Sequence, residues 1–116
     1  MKTILNTALA LMFSVAAMTV VTQANAESFS AQHEQVKKLF QSNEEKTAKD
    51  AVWTAQNIFK VGVIDDGTRR DGYAEYVCQV LYDYEFKGKK VWVQVIDIIK
   101  LTRNGDWVKL GEAHCQ

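Results

Sequence analysis

Hydrophobic positions change their spacing twice along this chain. From Ile4 to Val21 they run almost unbroken, diluted only by Asn6, Thr7, Ser14 and Thr19. Phe29, His33, Val36 and Phe40 then recur every three or four residues, with Leu39 alongside, which is one stripe of an amphipathic helix. Ser30 stands where a helix cap belongs. Ser42 with Glu45 three residues on has the form of a capping box, and Ala48, Val52 and Ala55 line one face beyond it. The helical part is therefore expected either to kink or to split in two.

From Asn57 the period shortens to two. Phe59, Val61 and Val63 alternate in IFKVGVI, the pattern of a half-buried strand. Asp65 to Gly72 carries two glycines and five charges and reads as a loop. In YAEYVCQVLYDYEF an alternating reading puts Tyr76, Cys78, Val80, Tyr82, Tyr84 and Phe86 on one face. Lys87-Gly88 forms a tight turn, KVWVQVIDIIKL a third strand, Asn104-Gly105 a type I′ hairpin, and DWVKLGEAHC the last strand. The expected fold class is α+β: an N-terminal helix packed on a four-stranded antiparallel meander sheet.

The first apolar run has the anatomy of a secretory leader. A lysine, Lys2, precedes it, and the small-x-small site Ala24-Asn25-Ala26 follows. Residues 1–26 are read as a cleaved signal peptide and 27–116 as a single small α+β domain of roughly 90 residues. A retained membrane anchor is the competing reading, because eighteen residues lie near the lower limit of a span. Cleavage places the chain in the periplasm or outside the cell, with no membrane contact afterwards. That compartment allows thiols to oxidise, so Cys78 and Cys115 are expected to form a disulfide. The bridge would close a loop of roughly 37 residues, worth about 3–4 kcal/mol.

Charge removes some functions. Lys and Arg total 14, Asp and Glu also 14, so the whole chain is formally neutral, and losing Lys2 leaves it one unit acidic. Nucleic-acid binding needs a basic face, and none is expected.

The hairpin turns suggest a register that places Val80, Tyr82 and Tyr84 opposite Val95, Val93 and Val91. The same register sets Cys78 opposite Asp97 and Asp97 opposite Glu112, with His114 two residues on. Tyr76, Tyr82, Asp97, Glu112 and His114 are thus a candidate pocket. A thiol, two carboxylates and an imidazole suggest a small enzyme or a metal site. We favour a half-cystine among polar residues, with no catalytic residue, no metal and no cofactor. His33 is read as a packed histidine. In a straight meander, however, Cys78 and Cys115 sit two strands apart, beyond the reach of a disulfide. The pairing therefore asks the last strand to bend or bulge near Gly111.

The opposite sheet face is expected to carry Val77, Leu81, Trp92, Ile96, Ile98 and Trp107, a broken apolar strip suited to a partner or a second copy. The loop offers Asp65, Asp66, Arg69 and Arg70, whose balanced charges favour internal pairing over an ion site.

A helix followed by a four-stranded meander resembles the cystatin-like and nuclear-transport-factor-2-like folds, over about residues 30 to 112. The closing NGDWVKL is similar to the last hairpin of small exported bacterial members of that group. The resemblance implies a fold and no activity. The cystatin inhibitory loop, Q-x-V-x-G, is absent, since VQVIDI around Gln94 lacks the glycine. The expected function is a non-enzymatic exported binding or accessory protein, taking an unknown protein or small apolar ligand, or dimerising through the outer sheet face. The alternatives are an inhibitor of a hydrolase acting through loop 65–72, and a small enzyme using Cys78, Asp97, Glu112 and His114.

Overall fold

The computed structural model describes residues 29–116. The expected leader and its cleavage site lie outside the described residues. In chain order the elements are α1 (Ala31–Leu39), β1 (Asp50–Ala55), β2 (Ile58–Val63), α2 (Asp71–Asp83), β3 (Trp92–Asp97), α3 (Ile98–Asn104) and β4 (Lys109–His114). The strands lie in the order β1-β2-β3-β4. The two outer pairings are antiparallel, whereas β2 and β3 run parallel. The fold is α+β, but the sheet is mixed and is not the antiparallel meander that pattern and resemblance suggested. No helix among the described residues is long and apolar enough to cross a membrane.

The difference lies in residues 71–83, which form a helix. Ala74, Val77, Cys78 and Leu81 are buried on it, spaced by three, one and three. That is a helical stripe, and the aromatic and β-branched residues around it mimic a strand. A helix here makes the required crossover between parallel neighbours. It lies on one sheet face against Phe59, Val61, Val63, Val93 and Val95, which form the core with it.

Three further expectations are corrected. No second helix follows Ser42. Its hydroxyl donates to Leu39 O (2.7 Å) and accepts from Glu44 N (3.2 Å), while the Glu45 carboxylate accepts from Tyr76 instead. Beyond these turns Ala51 and Trp53 alternate with exposed residues, and the segment is strand β1. The third strand stops early, because Asp97 Oδ1 accepts from the Ile99 and Lys100 N–H groups and starts α3. Gly105 does adopt positive φ, 76°, but as the left-handed cap that ends α3. A helix cap and a hairpin turn ask for the same dipeptide.

The Cys78–Cys115 disulfide is present, with Cα atoms 5.4 Å apart. The geometric obstacle disappears because Cys78 stands on a helix lying across the sheet, so β4 need not leave it. A bulge does occur. Val95 pairs with Gly111 and Ile96 with Lys109, so Leu110 has no partner on β3. Gly111 serves another purpose: a Cβ there would sit 2.3 Å from the Arg70 carbonyl carbon and 2.5 Å from Asp71 N. The missing side chain lets the start of α2 approach the strand.

Candidate functional site

Alternation sends Phe59, Val61, Val93 and Val95 inward. It sends Val52, Ile58, Lys60, Gly62, Trp92, Gln94 and Ile96 to the other face, where α1 and α2 do not reach. Among the described residues, only α3 and the segment after it fold over one end of that face. Ile98 fills the space above Gly62, and Ile96 is 2% exposed beneath it. A shallow groove of about 40 Å³ remains, lined by Val52, Gly62, Ile96, Ile98, Leu101 and Trp107 and rimmed by Asp50 and Lys60. Trp107 is 50% exposed, with the Lys60 ammonium 4.5 Å from its ring centroid.

A second indole occupies the same face. Trp92 Nε1 donates to Glu112 Oε1 at 2.8 Å, and Lys109 Nζ reaches the same oxygen at 2.8 Å. The His114 ring stacks on Trp92 at 5.3 Å, and Lys109 also lies 5.3 Å from the indole centroid. The Lys109 hydrogen bond, then that of Trp92, holds the Glu112 carboxyl below its ordinary value of 4.5. Glu112 is thus an ionised acceptor whose partners are already in place.

Four of the six predicted interface residues, Trp92, Ile96, Ile98 and Trp107, share this face. Val77 and Leu81 do not, because the helix turns both into the core, where each is 0% exposed. The groove also takes in Val52, Gly62 and Leu101, which alternation in β1 and the small residue in β2 could have signalled.

The predicted pocket does not assemble. Glu112 and His114 flank Trp92 on the outer face. Asp97 is buried at 3% exposure and engaged in capping. Tyr76 is exposed on α2 and donates to Glu45 Oε2 (2.7 Å). The Tyr82 hydroxyl accepts from Gln116 N (2.6 Å) near the C-terminus. Cys78 is in the core, its sulfur bonded to Cys115. The expected opposition of Asp97 and Glu112 is replaced by pairing of Gln94 with Glu112. Among the described residues no three His, Cys, Asp or Glu side chains converge as a metal site.

The charged loop is organised internally. Asp65 Oδ1 accepts from Gly67 N (2.9 Å), and Asp66 Oδ1 from Thr68 N (3.0 Å) and Oγ1 (2.6 Å). The Thr68 hydroxyl bond is the main reason the Asp66 carboxyl titrates below its ordinary range. Arg70 donates to Ile64 O at 2.8 Å and lies 3.4 Å from Asp66 Oδ2. Arg69 pairs with Asp71 while 83% of its side chain stays exposed.

Both sheet edges are partly occupied. On β4, Leu110 O accepts from Arg70 N (3.1 Å) and Glu112 N donates to Asp71 Oδ1 (2.9 Å). On β1, the Gln41 side chain donates to Asp50 Oδ1 (2.9 Å) and Ala51 O (3.4 Å), and Asp50 Oδ1 accepts from Ala51 N (2.8 Å). Such capping discourages strand addition, so the face offers the freer surface. No protein-family model matches this chain, and no curated protein or solved structure does either.

Proposed function

We propose that this chain is a non-enzymatic exported binding protein that docks a protein partner, or a second copy of itself, on the open sheet face around Trp107. The observation that carries this is the uncovered face of a parallel strand pair. Parallel strands are ordinarily covered on both sides, and among the described residues β2–β3 has a helix layer on one side and only the short α3 on part of the other. Groove size decides between ligand classes. About 40 Å³ is far below the roughly 300–1,000 Å³ of small-molecule sites, so the apolar-ligand version of the reading is set aside for this face. A flat surface with an exposed indole beside an apolar trough suits protein contact. The leader-like Met1 to Ala26 and the disulfide both suit a periplasmic or secreted protein.

The test is a photo-crosslinking residue placed at Val52, with Glu75 on exposed α2 as the control position. Adducts from the native envelope at Val52 and none at Glu75 are expected, abolished by Trp107→Lys. An adduct of twice the chain mass identifies self-association. No adduct at Val52 ends the proposal.

A second reading, inhibition of a hydrolase, rests on loop 65–72, where internal hydrogen bonds present Arg69 outward. The double variant Arg69→Ala/Arg70→Ala should then abolish inhibition of the target enzyme while leaving the fold unchanged by circular dichroism.

A further inference from the structure

At the end of the sheet away from α3, the start of α1, the β1–β2 turn and the α2–β3 connection enclose a cleft of about 620 Å³. This lies within the roughly 300–1,000 Å³ of small-molecule sites. Its wall is a clamped histidine. His33 Nε2 lies 2.9 Å from Gln56 O and Nδ1 2.6 Å from Ser30 Oγ. The ring packs edge-on against Trp53 (4.4 Å) and Phe86 (4.9 Å). Both ring nitrogens are engaged, so His33 serves the cleft as a fixed surface.

The side chains around that surface are in the opposite condition. Gln32, Gln56, Asn57, Glu85 and Lys89 line the cleft and make no side-chain hydrogen bond or ion pair with the described residues. In loop 65–71, by contrast, all five charged side chains are engaged with neighbours in or beside the loop. Phe29 is 42% exposed over His33, and Tyr84 is a second aromatic lining residue.

The backbone adds a separate observation. Glu85 has φ of 72°, a left-handed conformation ordinarily given to glycine. It is held by closing bonds from Phe86 N to Leu81 O (3.1 Å) and from Glu85 N to Tyr82 O (3.3 Å). Glycine would end α2 there without strain, yet the position carries a carboxylate at the cleft rim. Strained non-glycine residues of this kind gather at ligand sites.

Chemistry then selects the ligand. Glu85 and Lys89 cancel in charge, so neither an anion nor a cation is favoured. Three carboxamides each donate and accept, which matches hydroxyl groups that do the same. An exposed aromatic ring matches the apolar C–H face of a sugar ring. We infer that this cleft binds a neutral oligosaccharide, at a site separate from the open sheet face and independent of it.

The test is a nitrogen-15 NMR titration of the protein, purified as expressing cells process it, with chitotriose, cellotriose, maltotriose and, as a competing class, trialanine. Saturable shifts of the Gln32, Gln56 and Asn57 side-chain amides are expected with at least one trisaccharide, at roughly millimolar Kd, and none with trialanine. Asn57→Ala and Phe29→Ala should each weaken binding about tenfold, the loss of one good contact, with melting temperature unchanged. Gln79→Ala, on the far side of α2, should bind as wild type. Absence of saturable shifts with all three sugars, equal binding of trialanine, or unchanged binding in both cleft variants would overturn the inference.

Discussion

The two faces of one sheet are built from alternate residues of the same strands, yet they obey different rules. Inward residues meet α1 and α2, and Phe59, Val61, Val63, Val93 and Val95 are all 0% exposed. Among the described residues, outward residues meet only a short helix and the segment after it at one end, leaving Val52 39% exposed, with Trp107 of that segment 50% exposed over the same face. Even the glycines follow the division. Gly111 faces backbone at the start of α2, whereas Gly62 faces only side-chain atoms of Ile98, with Cδ1 nearest at 2.8 Å. The inner face holds the fold together, and the outer face can change without changing it.

The largest test of that division is the disulfide, which ties α2 to the end of β4 on the inner side. Cys78→Ser/Cys115→Ser should lose about 3–4 kcal/mol, so the calorimetric melting temperature should fall by roughly 15 °C or more. A shift of only a few degrees would mean that packing alone holds α2 in place. Next come the glycines. Gly111→Ala drives a methyl into backbone and should cost about 3 kcal/mol, whereas Gly62→Ala should cost about 1 because Ile98 can turn aside. Urea unfolding measures both, and equal costs would show that the outer face is as rigid as the inner one. The valines give a smaller contrast. Val95→Ala should cost about 2 kcal/mol and Val52→Ala less than about 0.5 in the same urea unfolding, and equal costs would show that Val52 is packed as tightly as the core.

The smallest effect is acid sensitivity at the β4 edge and the loop. Asp66, Asp71 and Glu112 all titrate below their ordinary values, Asp71 chiefly through Arg69 and then the Glu112 N–H. Groups with depressed folded-state pKa values stabilise above the unfolded values, here 3.8 for the aspartates and 4.5 for Glu112. That contribution is lost as pH falls through and below this range. Asp71→Asn should flatten the melting-temperature profile below about pH 4.5 and change it little at pH 7. An unchanged acid limb would remove Asp71 from the account. The exposure of these groups keeps the effect small.

How far the sequence discloses this molecule depends on whether local signals are unique. The α1 stripe and the alternation of β2 each fit one period only, and both elements form as their patterns dictate. Residues 73–84 satisfy two periods, because tyrosines and valines occupy positions that suit a strand as well as a helix. Nothing local breaks that tie; the parallel pairing of β2 with β3 does, since it needs a crossover. Asn104-Gly105 announces positive φ correctly but not whether a hairpin or a helix end uses it. The site follows the same logic. Trp92 and Ile96 lie in a true strand, so parity places them on the outer face together. Parity puts Val77 and Leu81 on that face too, but their segment is helical and turns both into the core. The cleft around His33 is less legible still, since its lining comes from three connections far apart in the chain.

The disulfide also divides the chain topologically. Residues 78 to 115 form a covalent ring containing the end of α2, β3, α3 and β4. The exposed lysines of the 87–90 turn lie inside it, and the exposed arginine of the 65–71 loop lies outside. A protease cutting at Lys89 opens the ring but leaves every piece attached, while one cutting at Arg69 severs α1 and the β1–β2 hairpin from the rest. The ring half of the molecule is thereby suited to outlasting a single nick, and the hairpin half, once cut away, depends on non-covalent contacts alone.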